Sequence, residues 1–274
     1  MDKNQLPHML KLLDDESTKV KSKIYQELVA YGPNLKSDLD GIIHADIPDG
    51  VRPILEEIYE VQRGNILKQQ WVQCMRIKDE MAKLEEGLSK LAHYQFGEDY
   101  PIKLKEILDQ LADEYTASGK FADFLTLSRF LFQVKGFKGN TEDYFNPLNS
   151  NLIYVIQEKK GIPISLVCVF ILVGYRLKLK IDGCNLPGHF LARANDGHRD
   201  LIFDCFHGGK LLSLEEIENI ERSLSIQFRD LIQSPPNAQQ ILTRFLHNLV
   251  TAYQKNGESK KSEIARDLLD LMGG

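Results

Sequence analysis

A chain of 274 residues, 43% hydrophobic and 27% charged, is long enough to bury a sizeable core and too apolar for a disordered coil. Its net charge of −5, with no basic tract and no aromatic stacking motif, excludes a general phosphate-backbone binder and so a nucleic-acid partner. The opening Met1-Asp2-Lys3-Asn4-Gln5 lacks the charged and apolar regions of a secretory signal and no segment reaches about 18 apolar residues, so a cytoplasmic protein without a membrane partner is expected.

Val20, Ile24, Leu28 and Tyr31 recur at helical spacing after Asp15 and Ser17, and Gly32-Pro33 supplies a stop; this predicts a helix from Ser17 to Tyr31. With the Leu10 to Leu13 segment it looks like one helical-repeat hairpin of the HEAT type, in a single copy. A short helix over Asn34 to Ile43 and a turn at Ile47-Pro48-Asp49-Gly50 follow. Ile54, Ile58 and Val61 suggest another helix. Ile77, Met81, Leu84, Leu88 and Leu91 form an apolar stripe, flanked by Asp79 with Lys83 and Glu86 with Lys90 at four-residue spacing, which is the pattern of an amphipathic packing helix. Leu104, Ile107, Leu108, Leu111 and Tyr115 repeat it after Pro101, and Phe121 to Phe132 give one more helix before Gly136. Trp71 and Cys74 lie on the same sort of segment and carry no visible chemistry.

Glu142, Asp143 and Tyr144 read as a solvated turn, because nothing nearby supplies a second ligand or base. Asn149 is a natural N-cap for a helix running to Lys159 and, secondarily, a cleft-lining residue. Gly161-Ile162-Pro163-Ile164-Ser165-Leu166 then opens an apolar run to Val173, too short to span a bilayer, which reads as a buried central helix with Pro163 in its first turn. Two further phrases, Pro187-Gly188-His189-Phe190-Leu191 and Phe203-Asp204-Cys205-Phe206-His207-Gly208-Gly209, fall on strands. Asn195-Asp196-Gly197-His198 between them is a candidate hairpin turn. If Asp196 and Gly197 form a two-residue loop, counting outward sets His189 directly opposite Asp204, with Cβ atoms roughly 5 Å apart on one face. Such an Asp can accept the imidazole N–H and fix its tautomer, the arrangement of a general base with its orienting acid. A slip of one residue would put the two groups on opposite faces.

After Gly209, Ser213 with Glu216 fits a capping box for a short helix ending near Ser223, and Pro235-Pro236 is a linker. Leu242, Phe245, Leu246, Leu249 and Tyr253 share one helical face. After a stop at Gly257 the pattern resumes through Ile264, Leu268, Leu269 and Met272.

Gly139-Asn140 with Asp143-Tyr144, Asn149-Ser150, the Gly-Ile-Pro-Ile-Ser-Leu phrase, Pro-Gly-His-Phe-Leu and Asp204 with Gly208-Gly209 together resemble the transglutaminase-like core of the SirB family, over about residues 120 to 215. The resemblance implies a central helix that begins with a nucleophilic Cys two residues after a Gly, with His and Asp on neighbouring strands. His189 is then the family His and Asp204 the family Asp. The nucleophile position falls on Pro163. The closing helix pair looks like one tetratricopeptide-type hairpin, as SirB-type chains often carry after the core, too small to form a repeat groove alone.

Proline has no group that can attack a carbonyl, and covalent catalysis needs a thiol, hydroxyl, amine or carboxylate within reach of the base. Ser165 lies two residues on, turned by roughly 200° around a helix of 3.6 residues per turn. Cys168 is more than a full turn deeper. Both read first as structural, Ser165 satisfying first-turn backbone groups and Cys168 as a small core residue. Cys184 could approach the cleft from a strand, without the helix N-terminus that stabilises a thiolate; Cys205 follows Asp204 and points to the other face. His207 reads as an exposed loop residue. The cysteines at 74, 168, 184 and 205 show no paired spacing and the seven histidines no metal pattern. Neither a metal nor a cofactor is expected, and no Gly-rich phosphate loop is present.

The expected architecture is α+β: an all-helical region over residues 1–119, a papain-like or transglutaminase-like core over 120–233 with a central helix against antiparallel strands, and a C-terminal helix pair over 234–274. The expected function is a non-catalytic interaction or regulatory protein with a protein partner, its cleft still able to take a small molecule. The alternative is a cysteine- or serine-dependent hydrolase, amidase or acyltransferase in which a relocated Cys184 or Ser165 works with His189 and Asp204.

Overall fold

The computed structural model describes residues 3–42, 47–97, 99–119, 121–226 and 234–273. Residues 120 and 233, the expected limits of the core, lie outside the described residues, as does residue 43, the expected end of the short helix from Asn34. The chain divides into two compact units, Met1–Gln69 and Gln70–Gly274.

In the first unit, helices α1 (Leu6–Leu12), α2 (Thr18–Tyr31), α3 (Leu35–Ile42) and the beginning of α4 (Arg52–Met75) enclose a core that includes Leu6, Leu10, Leu28, Leu39 and Ile58. Ser17 caps α2 by accepting the Val20 N–H at 3.4 Å, and Gly32 ends it at φ +90°, a backbone region that disfavours side chains. Inside, the buried amide of Gln62 donates to the Leu28 carbonyl at 2.8 Å.

The second unit is layered around one helix. α5 (Glu80–Phe96), α6 (Leu104–Ala117) and α7 (Phe124–Ser128) precede it, α7 continuing into a six-residue π-helical turn, Arg129–Val134. Strand β1 (Lys138–Gly139), helix α8 (Leu152–Glu158) and strand β2 (Lys160–Gly161) bring the chain to α9 (Pro163–Arg176); β1 and β2 pair in parallel. A four-stranded antiparallel meander follows: β3 (Ile181–Leu186), β4 (His189–Asn195), β5 (Asp200–Asp204) and β6 (Lys210–Leu211). Every residue of α9 from Pro163 to Gly174 is buried, as a helix packed on all sides requires. Helices α5, α6 and α8 lie against it. The sheet covers it elsewhere, Phe203 meeting Phe170 edge-to-face with ring centroids 5.3 Å apart. The opposite sheet face, with Cys184, Leu186, Leu191 and Ile202, is covered by Ile217, Ile220 and Leu224 of α10 (Leu214–Leu224).

The last two helices, α11 (Ala238–Lys255) and α12 (Ser259–Asp270), belong to the same unit. Gly87 of α5 permits close approach of α11, since a Cβ there would stand 2.7 Å from the Leu242 side chain. The Glu80 carboxylate accepts the Ala238 N–H at 2.8 Å, satisfying an orphan donor at the α11 N-terminus.

Several local expectations need correction. Asp79 does not pair with Lys83: its carboxylate caps α5 by accepting the Ala82 N–H at 2.8 Å, and Lys83 turns to Glu80 at 3.0 Å. The cap of α8 is Asn151, accepting from the Tyr154 N–H at 3.1 Å, while Asn149 is buried one short 3-10 turn earlier. Pro187-Gly188 is a hairpin turn between β3 and β4, with Gly188 at φ +73° and Leu186 paired with His189, so Cys184 sits on its own strand.

The β4–β5 connection is also longer than two residues: Asn195 pairs with Asp200, leaving Asp196 to Arg199 as the loop. The reason is side-chain competition. Asp196 accepts the N–H groups of His198 and Arg199, both at 2.9 Å, and Asn195 accepts that of Gly197 at 2.8 Å, which wraps a wider turn than Asp-Gly alone would make. The register moves by two residues, and a shift of two leaves every side chain on its original face. His189 is therefore diagonal to Asp204 rather than opposite it.

Candidate functional site

The site lies where the C-terminal end of β5 meets the start of β4. Diagonal strand neighbours are about 7–8 Å apart at Cα, within reach of an imidazole. His189 Nε2 stands 3.0 Å from Asp204 Oδ2. From the loop after β5, His207 Nδ1 reaches the same oxygen at 2.8 Å, and the His207 N–H donates to Asp204 Oδ1 at 3.1 Å. Burial works to raise the Asp204 pKa, yet the hydrogen bonds from His189 and His207, with the nearby imidazole charge, outweigh it and bring the value down to about 2. Asp204 is thus an ionised, nearly buried acceptor between two imidazoles.

The loop that carries His207 is held from three directions. Gly139 donates to the Phe206 carbonyl at 3.0 Å, and a Cβ on Gly139 would stand 2.5 Å from the Phe206 ring, so glycine is required for this approach. Ser128 Oγ donates to the Gly209 carbonyl at 3.0 Å. Gly209, at φ +69°, fits against Phe132 where a Cβ would come within 2.2 Å of the ring. Asn149 fixes the segment beyond β1: its Oδ1 accepts from Asn140 Nδ2 at 2.9 Å, and its own amide donates to the carbonyls of Asp143 and Tyr144.

The residues that sequence reading places at the nucleophile are elsewhere. Phe203 faces α9, so strand alternation turns Asp204 away from that helix. Pro163 is buried in the first turn of α9. Its end of the helix opens on a cavity of about 280 Å³ whose lining includes Tyr144, Pro163, Gly188, Phe190, Arg244 and Asn248. The Ser165 hydroxyl is fully buried and doubly engaged, accepting the Ile162 N–H at 3.0 Å and donating to the Ile162 carbonyl at 2.9 Å. Cys184 is buried in the sheet face under α10, and burial pushes its thiol up to about 11. Burial also raises Cys168 and Cys205, the charge of Asp204 adding to the second, and Cys74 reaches about 11 from the same cause. Asp204 is the sole hydrogen-bond partner of the His189 ring among the described residues.

Two contributors escape the sequence reading. His207 reads as solvent-facing by itself; the available signal was its position three residues after Asp204, a spacing at which a loop can fold back on its own carboxylate. Arg244 of α11 crosses to the sheet, donating to the carbonyls of Leu186 at 3.0 Å and His189 at 2.9 Å, bonding the Asn185 side chain and lying 5.2 Å over the Phe190 ring. No local pattern announces it. Among the described residues, His189, Asp204 and His207 are the group able to hold a metal ion, their ligand atoms lying within 4.8 Å of one another.

A buried central helix against an antiparallel meander, with His and Asp on adjacent strands, defines a transglutaminase-like α+β domain. The chain belongs to the transglutaminase-like superfamily, whose core model matches residues 98–247. It is 38% identical to a UPF0162 protein of Xylella fastidiosa over 133 residues, 46% of this chain and 47% of that protein. A UPF0162 protein of Vibrio cholerae is 34% identical over 106 residues, 38% of each chain. F-box only protein 21 of Mus musculus is 30% identical over 149 residues, 52% of this chain but 23% of that protein. The chain thus spans half or less of the length of these curated relatives. No solved structure matches it. No helix among the described residues is long and apolar enough to cross a membrane.

Proposed function

We propose that this protein is a SirB-type member of the superfamily that works by binding, as a cytoplasmic interaction or regulatory protein with a protein partner, and not by covalent catalysis. The observation that carries this reading is the pairing of Pro163 at the nucleophile position with a His189 ring bonded to Asp204 and, among the described residues, to no thiol or hydroxyl. A base without a nucleophile in reach cannot open an acyl-enzyme route. Against the alternative of a relocated nucleophile stand the two bonds that occupy Ser165 and the raised pKa of Cys184, since a reactive thiol needs an exposed, electropositive setting. The helices that precede and follow the core in sequence are of the kind that proteins dock on. In F-box only protein 21 the matching segment is less than a quarter of the chain, which agrees with a module carried within a longer chain.

The test is a turnover screen with peptide amides, thioesters and activated esters, run on the wild-type chain and on His189→Ala. The reading expects no turnover that depends on His189, and a crosslinked protein partner from its own cells that Cys184→Ala and Ser165→Ala capture equally well. Turnover abolished by His189→Ala overturns it.

A further inference from the structure

We infer that His189, Asp204 and His207 form a binding site for a divalent first-row transition-metal ion, with the remaining coordination positions open to solvent. Two imidazoles and one carboxylate converging from one side are the donor set of the 2-His-1-carboxylate triad, and three protein ligands with an open position also describe catalytic zinc sites. A metal with bonds of about 2.0–2.2 Å sets adjacent ligand atoms roughly 2.8–3.1 Å apart in octahedral geometry and roughly 3.3–3.6 Å apart in tetrahedral geometry. The observed separations from Asp204 Oδ2 are 3.0 Å to His189 Nε2 and 2.8 Å to His207 Nδ1, and all three ligand atoms fall within 4.8 Å. Small outward rotations of the two rings open the triangle to an ion.

Charge argues in the same direction. The Asp204 side chain is 11% exposed and has no Lys or Arg partner among the described residues; its partners are the two imidazoles and one main-chain N–H. A carboxylate oxygen and two imidazole nitrogens that face one point, with no cationic side chain beside them among the described residues, are a donor set that a divalent cation completes. The donors are also preorganised. The His207 N–H holds Asp204 Oδ1, leaving Oδ2 for the ion, and Gly139, Phe206, Ser128 and Gly209 pin the loop from behind. His207 is 66% exposed at its side chain and His189 26%, so an ion can enter from solvent and keep water or a ligand oxygen in its open positions. When it binds, each imidazole coordinates through the nitrogen that faced Asp204 and carries its proton on the other ring nitrogen. This inference does not depend on the proposed partner-binding role.

The experiment is a calorimetric and visible-absorbance titration of the untagged full chain with Co²⁺ alone, with His207→Ala, Asp204→Asn and His198→Ala alongside. His198 lies in the β4–β5 loop outside the triad and controls for ordinary surface histidine binding. The expected result is one saturable equivalent, weakened at least tenfold by His207→Ala and by Asp204→Asn and unchanged by His198→Ala; loss of a partner only one shell further out already costs about 10–100-fold. His207 is exposed enough for its Ala variant to fold, which circular dichroism checks, so the result does not hang on Asp204→Asn. Absence of saturable binding in the wild type, or binding that His207→Ala leaves intact, overturns the inference.

Discussion

Arg244 donates to the main-chain carbonyl of His189 at 2.9 Å, so the penultimate helix of the chain holds the strand that presents the site imidazole. The same guanidinium serves the Leu186 carbonyl and the Asn185 side chain across the Pro187-Gly188 turn. Replacing Arg244 by Ala strands these acceptors partly out of water, and bonds to a charged donor contribute about 1.5–3 kcal/mol. Arg244→Ala is expected to lower stability by roughly 2–3 kcal/mol, and Arg244→Lys by a substantial part of this, because an ammonium cannot reproduce the planar fork. Denaturant midpoints decide it; a Lys variant as stable as wild type would show that charge alone suffices.

Gly139→Ala would drive a Cβ to 2.5 Å from the Phe206 ring. Overpacking of this kind costs about 1–3 kcal/mol. If the ring is the cause, Phe206→Ala should relieve the penalty, and the double variant should be more stable than the sum of the two single changes. Strict additivity in a double-mutant cycle would contradict the assignment.

How much of this was legible beforehand depended on the range of each signal. Periodicity made α2, α5, α6 and α9 readable because each buries one face or, in α9, every face. The parity of strand side chains places His189 and Asp204 on one face whether the loop has two residues or four, since the two registers differ by an even number. Asp196 defeated the turn reading because its side chain competes for two backbone N–H groups, an effect that the Asp-Gly dipeptide does not display. The cap of α8 was misread because Asn149 and Asn151 are chemically alike, and only packing decides which one is interior. Arg244 and His207 needed tertiary placement, as their partners lie 55 residues away in one case and in a folded-back loop in the other.

Thiol chemistry gives a further check. All four cysteines are buried, with Cys184 and Cys74 raised to about 11 and Cys168 and Cys205 raised as well, so little thiolate exists near neutrality. Native protein at pH 8 should be alkylated by iodoacetamide far more slowly than the denaturant-unfolded chain at all four positions, followed by peptide mass analysis. A single site reacting as fast in the native state as in the unfolded one would point to a functional thiol.

Acid stability should report the link between α5 and α11. The Ala238 N–H, aided by Lys83, lowers the Glu80 pKa below its ordinary 4.5. A carboxylate depressed in the folded state contributes stability above its unfolded pKa, and that contribution disappears as pH falls through the folded value. Wild type should therefore exceed Glu80→Gln in denaturant midpoint at pH 7, and the gap should close progressively once pH drops below 4.5. A gap independent of pH would assign the difference to something other than the Glu80 charge.

Intact-mass analysis after incubation with activated thioesters and esters reads out whether any nucleophile of the core works with His189. The native chain is expected to keep an unmodified mass, identical to that of His189→Ala. A stable acyl adduct on Ser165 or Cys184 that disappears in His189→Ala would contradict it.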